Sequence, residues 1–281
     1  MVHPPRPVHR AGFFDGGCGS GVAIGSALCG RDRMTSQWDN FLRNLGEWHG
    51  TFASLDSQQR EQSRTSSILT LEQGDDARLV RFGLQRWEDA ALAGPAAERG
   101  TPSSAMQQDY RTLGKQVVFF PSGTFCKGSQ QLAPGTAFGG EFGFLAGDRR
   151  HRLVILYSEA GRFERSVLIR EFRAGTMTEE QPSLAAEQLL GSWQGEEATI
   201  SADWPEPSVQ AITTTIGSAD LAGVRWLPDA GGFRVPEQVS HRQAFLVEAW
   251  WKPGPDQLEH LIRRYDGSGA WQSASLRRLR R

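Results

Sequence analysis

Between Thr35 and Gly50, apolar residues fall at Trp38, Phe41, Leu42 and Leu45, the i, i+3, i+4, i+7 spacing of one helical face. Ser36 stands where an N-cap is needed and Asp39 follows three places on, so the spacing predicts one short capped helix. Beyond Gly50 the period becomes two. Residues 79–87 place Val80, Phe82 and Leu84 on one face and Arg81, Gln85 and Trp87 on the other. With residues 68–71 across the Gly74-Asp75-Asp76 turn they predict a hairpin. A loop of small residues, 88–104, leads to predicted strands around 110–113, 116–120, 140–145, 153–158 and 163–172. Ala174-Gly175 and the polar run 176–182 interrupt this pattern, and Ser183 before Leu184, Leu189 and Leu190 predicts a second short helix. Strand periodicity returns at 211–216, 223–227, 232–235, 244–251, 260–265 and 270–279, so the predicted fold class is mainly β.

The chain also repeats itself. Residues 45–50 read LGEWHG and residues 190–195 read LGSWQG, 145 positions later (190 − 45). Tyr157, Gly161, Phe163, Leu168 and Arg170 have counterparts in Tyr265, Gly269, Trp271, Leu276 and Arg278 at the same five offsets. From tryptophan to tyrosine the first copy spans 109 residues (157 − 48) and the second 72 (265 − 193), so the first carries about 37 more (109 − 72). Two like units are expected: residues 34–175, and a smaller one at 183–281.

A length of 281 residues with 38% apolar and 10% aromatic side chains is enough for two cores. Lys plus Arg (31) nearly balance Asp plus Glu (32), which removes the electrostatic basis for a nucleic-acid partner. Plentiful glycine (32), Trp (9) and Phe (15) favour strands and turns. Cys18, Cys29 and Cys126 show no metal spacing, and no run of about 18 apolar residues predicts a membrane span. Residues 1–33, rich in Pro, Gly and Ser, suit a disordered tail, or a start assigned too early if translation begins at Met34.

The G-x-W phrase at the start of each unit resembles the lipocalin (calycin) signature, in which the tryptophan packs under an arginine from the last strand. QWDNFLRNLGEWHGTF, GTFCKGSQQL, FGGEFGF, RLVILYSEAGRFERSVLIREFR and LLGSWQGEEATISADWPEP together are similar to a cyanobacterial and plastid family of uncharacterised proteins. That resemblance, covering residues 36–280, implies two tandem antiparallel lipocalin-like barrels, each preceded by a short helix. Trp48 and Trp193 are then barrel plugs, with Arg170 and Arg278 as their expected cation-π partners. Related barrels include chromophore lyases that bind open-chain tetrapyrroles, so a bilin or another pigment is the ligand class the resemblance implies.

An eight-stranded barrel is about wide enough for one small apolar molecule, and carriage of such a ligand in the cytoplasm is the expected function. The first unit is the expected site, because residues 119–145 combine aromatics with glycines. Arg81 is the expected partner of a ligand carboxylate, and Trp87, Phe125 and Phe142 the apolar contacts. Glu141 has two readings, an inward orienting group or a surface carboxylate. Of the Trp250-Trp251 pair, alternation turns one ring inward and one outward. Cys126 has nothing beside it to lower its pKa, and His49, His151, His241 and His260 form no paired motif, so no catalytic or metal-binding residue is nominated. Two other functions stay open: a barrel enzyme of lyase, isomerase or cyclase type, and an assembly factor whose barrels are filled by side chains.

Overall fold

The computed structural model describes residues 35–281, and the reading of residues 1–33 as a tail lies outside them. Helix α1 (Gln37–Leu42) has the expected capping box: the Ser36 side chain accepts from the Asp39 amide, and the Asp39 carboxylate accepts from the Ser36 amide. The predicted second helix is instead a single 3₁₀ turn, Ala186–Gln188.

The remainder is two antiparallel sheets. The first comprises β1 (Gly46–Asp56), β2 (Glu61–Gln73), β3 (Val80–Trp87), β4 (Ser104–Tyr110), β5 (Val117–Phe119), β6 (Phe125–Gly128), β7 (Phe138–Ala146), β8 (Arg149–Tyr157) and β9 (Phe163–Arg173), in the order 4-3-2-1-9-8-7-6-5. The second comprises β10 (Gly191–Ser201), β11 (Ser208–Ile216), β12 (Arg225–Leu227), β13 (Gly231–Arg234), β14 (Phe245–Gly254), β15 (Gln257–Tyr265) and β16 (Trp271–Arg280), in the order 11-10-16-15-14-13-12. In both, the opening strand pairs with the second strand on one side and the last on the other. The edges β4 and β5, and likewise β11 and β12, do not pair, which leaves a seam in each lipocalin-like sheet. Strand β4 fills the gap between the expected 88–104 loop and the strand expected at 110–113, and its mostly exposed residues carry no apolar alternation that would have marked it.

The repeated phrase L-G-x-W-x-G has the same use in both sheets. Gly46 and Gly191 adopt positive φ (132° and 109°), which side-chain-bearing residues rarely do. Trp48 and Trp193 are buried, and each indole donates to the carbonyl four residues earlier, Asn44 at 3.0 Å and Leu189 at 2.8 Å. A Cβ on Gly50 would fall on the carbonyl oxygen of Arg170, and one on Gly195 on that of Arg278. The second glycine therefore lets the last strand close over the first.

The expected arginine partners are corrected by the register. Trp48 stands opposite Arg173, whose guanidinium lies 4.3 Å from the ring centroid, and Arg281 lies 4.0 Å from Trp193. Each also donates to the leucine carbonyl of the phrase, Arg173 to Leu45 and Arg281 to Leu190. Arg170 and Arg278 sit three residues earlier, an odd step that turns them to the opposite face of the sheet. There Arg170 pairs with Glu180 at 2.6 Å, and Arg278 lies near Glu196 and Glu259.

The outer faces of the two sheets pack on one another. One core joins Phe138, Phe142, Phe144 and Leu168 to Ile200, Phe233, Trp251 and Leu276. The contact is reciprocal at the hairpin tips: Val239 donates to Gly161 and Leu132 to Gly269, both at 2.8 Å, while Phe163 donates to Glu237 and Trp271 to Gln130. Buried Asp229 ties the faces together, accepting from Arg149 and from the Gln181 amide and lying 3.3 Å from His151. This packing buries both faces of β14, so neither Trp250 nor Trp251 is turned to solvent.

Candidate functional site

The inner face of the first sheet encloses a cavity of about 620 Å³. Alternation along β2 and β3 points Leu69, Leu71, Phe82 and Leu84 into it. Helix α1 adds Phe41, and β5 and β6 add Val117, Phe119 and Phe125. The rings form one cluster: Phe41 meets Tyr110 at 5.9 Å and Phe119 at 5.2 Å, and Phe119 meets Phe125 at 5.0 Å. Lining residues come from both β4 and β5 and from the connection between them, so the seam forms the rim.

The far wall is charged. Arg150 and Arg152, two apart on β8, turn to the same inner face, where Glu171 on β9 lies behind them and Glu141 on β7 beside them. Arg150 Nε and Arg152 Nη1 are each 3.6 Å from Glu171, and Arg152 Nε is 3.2 Å from Glu141. These are ion-pair distances, but Arg150 Nε and Nη1, Arg152 Nε and both Glu171 oxygens lack an aligned hydrogen bond. Burial lowers the Arg150 pKa to about 10. Burial opposes the charge on Arg152 too, but Glu171 and Glu141 outweigh it and hold that pKa above the ordinary value. Arg111, Lys127, Arg150 and Arg152 line the cavity with Asp109 and Glu141, and Glu171 and Asp76 stand just outside the lining as partners of Arg150 and Arg111, four positive charges to four negative.

Of the four side chains nominated for ligand contact, Phe125 lines this cavity and the other three do not. Arg81 is on the outer face of β3, half-exposed and 3.5 Å from Asp75. Trp87, on that same face, is buried under Arg99 and donates to the Gly100 carbonyl at 3.1 Å. Phe142 belongs to the core between the sheets. Its placement reverses the usual barrel logic: the outer face of β7 is where the second sheet packs, so the phenylalanines at 138, 142 and 144 point outward and Glu141 inward. Sequence reasoning passed over Arg150 and Arg152 because they fall between the strands expected at 140–145 and 153–158. The available signal was two arginines at i and i+2 entering the strand run LVILY.

The second sheet encloses a smaller cavity of about 200 Å³. Its wall includes a completed polar ladder in which Arg234 donates to Glu248 at 2.6 Å, Glu248 meets His260 at 2.8 Å, and His260 stacks on Trp250 at 4.4 Å. Burial lowers the His260 pKa despite the Glu248 carboxylate, and leaves the ring neutral at pH 7. Cys126 is buried between the halves beside Arg263, and burial raises its pKa.

Residues 34–176 match the N-terminal part of a domain of unknown function, DUF3598, and residues 218–281 match the C-terminal domain of a biogenesis factor required for ATP synthase. A DUF3598 protein of unknown function from Nostoc punctiforme is 31% identical, with a TM-score of 0.74 over 88% of this chain and all of its own. An S-type phycobiliprotein lyase from Guillardia theta is 14% identical over 50% of this chain and 94% of its own, with a TM-score of 0.34. A Mycobacterium tuberculosis protein, Rv2717c, is 12% identical over 85% of this chain and 92% of its own, with a TM-score of 0.22. No curated protein matches the chain. Among the described residues, no helix is long and apolar enough to cross a membrane.

Proposed function

The chain belongs to the DUF3598 family, and from that premise we propose that it binds and carries a small, largely apolar molecule in the cavity of its first sheet. The observation that carries this reading is the cavity itself: about 620 Å³, walled by Phe41, Phe82, Phe119, Phe125 and Tyr110, within the usual size of a small-molecule site. Carriage is favoured over turnover because the lining offers no histidine, cysteine or serine, and Glu141 is engaged with Arg152. Open-chain tetrapyrroles head the candidates, through the family resemblance.

Titration of the full chain with biliverdin, haem, a carotenoid and a long-chain fatty acid, followed by tryptophan fluorescence, tests the proposal. Saturable binding at about micromolar concentration by one of these, weakened in both Phe119→Ala and Phe125→Ala, supports it. Binding that neither substitution alters moves the ligand elsewhere, and no binding across the panel removes carriage as the function.

The match of residues 218–281 to a biogenesis-factor domain favours a second reading, an assembly factor that works through its surface. On that reading the cavity variants leave association with a protein partner intact.

A further inference from the structure

We propose that the ligand of the first cavity carries a carboxylate, and that this group seats against Arg150 and Arg152 with the apolar remainder packed along Phe41, Phe82 and Phe119. This inference rests on the carriage reading and adds the chemical class and orientation of the ligand.

The cavity lining divides into an aromatic side, a polar rim and an arginine wall. Phe41, Phe82, Tyr110, Val117 and Phe119 form its aromatic side, Gln108, Asp109, Arg111, Thr112, Gln116 and Lys127 give the seam a polar rim, and two arginines stand on β8. A wall of buried arginine is costly in a site that takes a purely apolar guest, because burying such a guest against it would strip the guanidiniums of their remaining hydration. The nearby carboxylates do not remove that cost. Glu171 is completely buried, yet both of its oxygens lack a hydrogen bond, and it is shared at 3.6 Å between the two arginines. Glu141 reaches only Arg152, again without alignment. A half-made network of this kind holds the heads close together while leaving donors unspent.

The second sheet supplies the contrast. There the buried Glu248 accepts from Arg234 at 2.6 Å and meets His260 at 2.8 Å, and none of these three residues has a fully buried side-chain atom without a partner. The same fold thus completes a buried ion network in its smaller cavity and leaves one incomplete in the larger. The unpaired atoms in the first are three arginine nitrogens, which can only donate, and the two Glu171 oxygens; because both arginines line the cavity and Glu171 does not, the group an occupant can add is an acceptor. A carboxylate fits the planar guanidinium better than an alcohol or ester. Glu171, already beside both arginines, limits the site to a single acidic end.

Headgroup discrimination by the unaltered full chain tests the proposal. Dodecanoic acid is compared with dodecan-1-ol, and biliverdin with its dimethyl ester, by fluorescence titration at pH 7. The expected result is that the acid of at least one pair binds about tenfold or more tightly than its neutral counterpart. Arg150→Lys and Arg152→Met should each bring the ratio of acid to neutral affinity down by about tenfold, toward equality. Equal binding of acid and neutral forms overturns the carboxylate seat and leaves the carriage reading standing. Failure of all four probes to bind overturns the carboxylate seat, and overturns carriage as well when haem and the carotenoid also fail to bind. Acid preference that survives in both variants places the carboxylate elsewhere and overturns the assignment to these arginines. If either variant does not fold, the discrimination measured on the unaltered protein decides.

Discussion

The two halves of the chain begin in the same way and enclose different interiors. Both open with L-G-x-W-x-G, bury its tryptophan, and cover the ring with an arginine from the end of the last strand or just beyond it. The first half then holds a cavity of about 620 Å³ with an unfinished arginine wall, and the second a cavity of about 200 Å³ crossed by the finished ladder Arg234–Glu248–His260. The difference shows that the closing device is independent of what the sheet encloses. It works through backbone approach and one ring, so the remaining inward positions are free to be filled or left open.

The most severe way to break the comparison is to separate the halves. Residues 34–175 and 183–281, expressed apart, should each fail to give a cooperatively unfolding soluble protein, because separation exposes Phe142, Phe144, Trp251 and Leu276, which lie in one shared core. Two stable, soluble halves would show that the joint contributes little. Next in size, Trp48→Ala and Trp193→Ala should each cost about 3–5 kcal/mol in denaturant unfolding, as expected for a buried large aromatic. A neutral result in one half would end the equivalence of the two plugs.

Acidification should produce a smaller effect shared between the joint and the second cavity. Burial lowers the pKa of His151 and His260 from the ordinary 6.5, against the opposing pull of Asp229 and Glu248. Both rings are therefore neutral when folded and take up protons on unfolding as the pH falls below about 6.5. Between that point and the depressed folded pKa the unfolded chain binds more protons, so stability falls with falling pH, by up to about 1.4 kcal/mol per pH unit for each ring. Asp229 and Glu248, whose own pKa values are lowered, extend the loss into the acid range below their ordinary 3.8 and 4.5. Melting temperatures from pH 8 to 5 should show the first slope, and His151→Gln and His260→Gln should each flatten it. An unchanged slope in both would exclude these rings as its source.

The smallest expected effect sharpens the register. Arg281→Lys should cost about 0.5–2 kcal/mol by weakening its stack on Trp193, whereas Arg278→Lys should stay within about 0.5 kcal/mol. The reverse order would restore Arg278 as the partner of the plug.

The site was less legible than the architecture. Phe125 was found because an aromatic among glycines suggests a concave wall, and Glu141 was recognised as a residue with two readings. Arg81 and Trp87 were assigned inward because a charged and an aromatic side chain share one face of β3. The cavity uses the other face, that of Phe82 and Leu84. Phe142 misled for a different reason, since its alternation with Glu141 was visible but the existence of a buried outer face was not.

What the sequence by itself determined is the set of local constraints that repeat. The helix cap at Ser36, the period-two strands, and the glycines, tryptophan and leucine of the doubled phrase each act within a few residues or between adjacent strands, and so leave a regular trace along the chain. What only the tertiary structure decided is the meaning of inward and outward. A strand pattern reports that its two faces differ, but both faces of β7, β8 and β14 are buried, one in a cavity and one against the other sheet. Their alternation therefore cannot say which side faces which. That assignment follows from the packing of the two sheets, and it moved the cation of the cavity from Arg81 to Arg150 and Arg152.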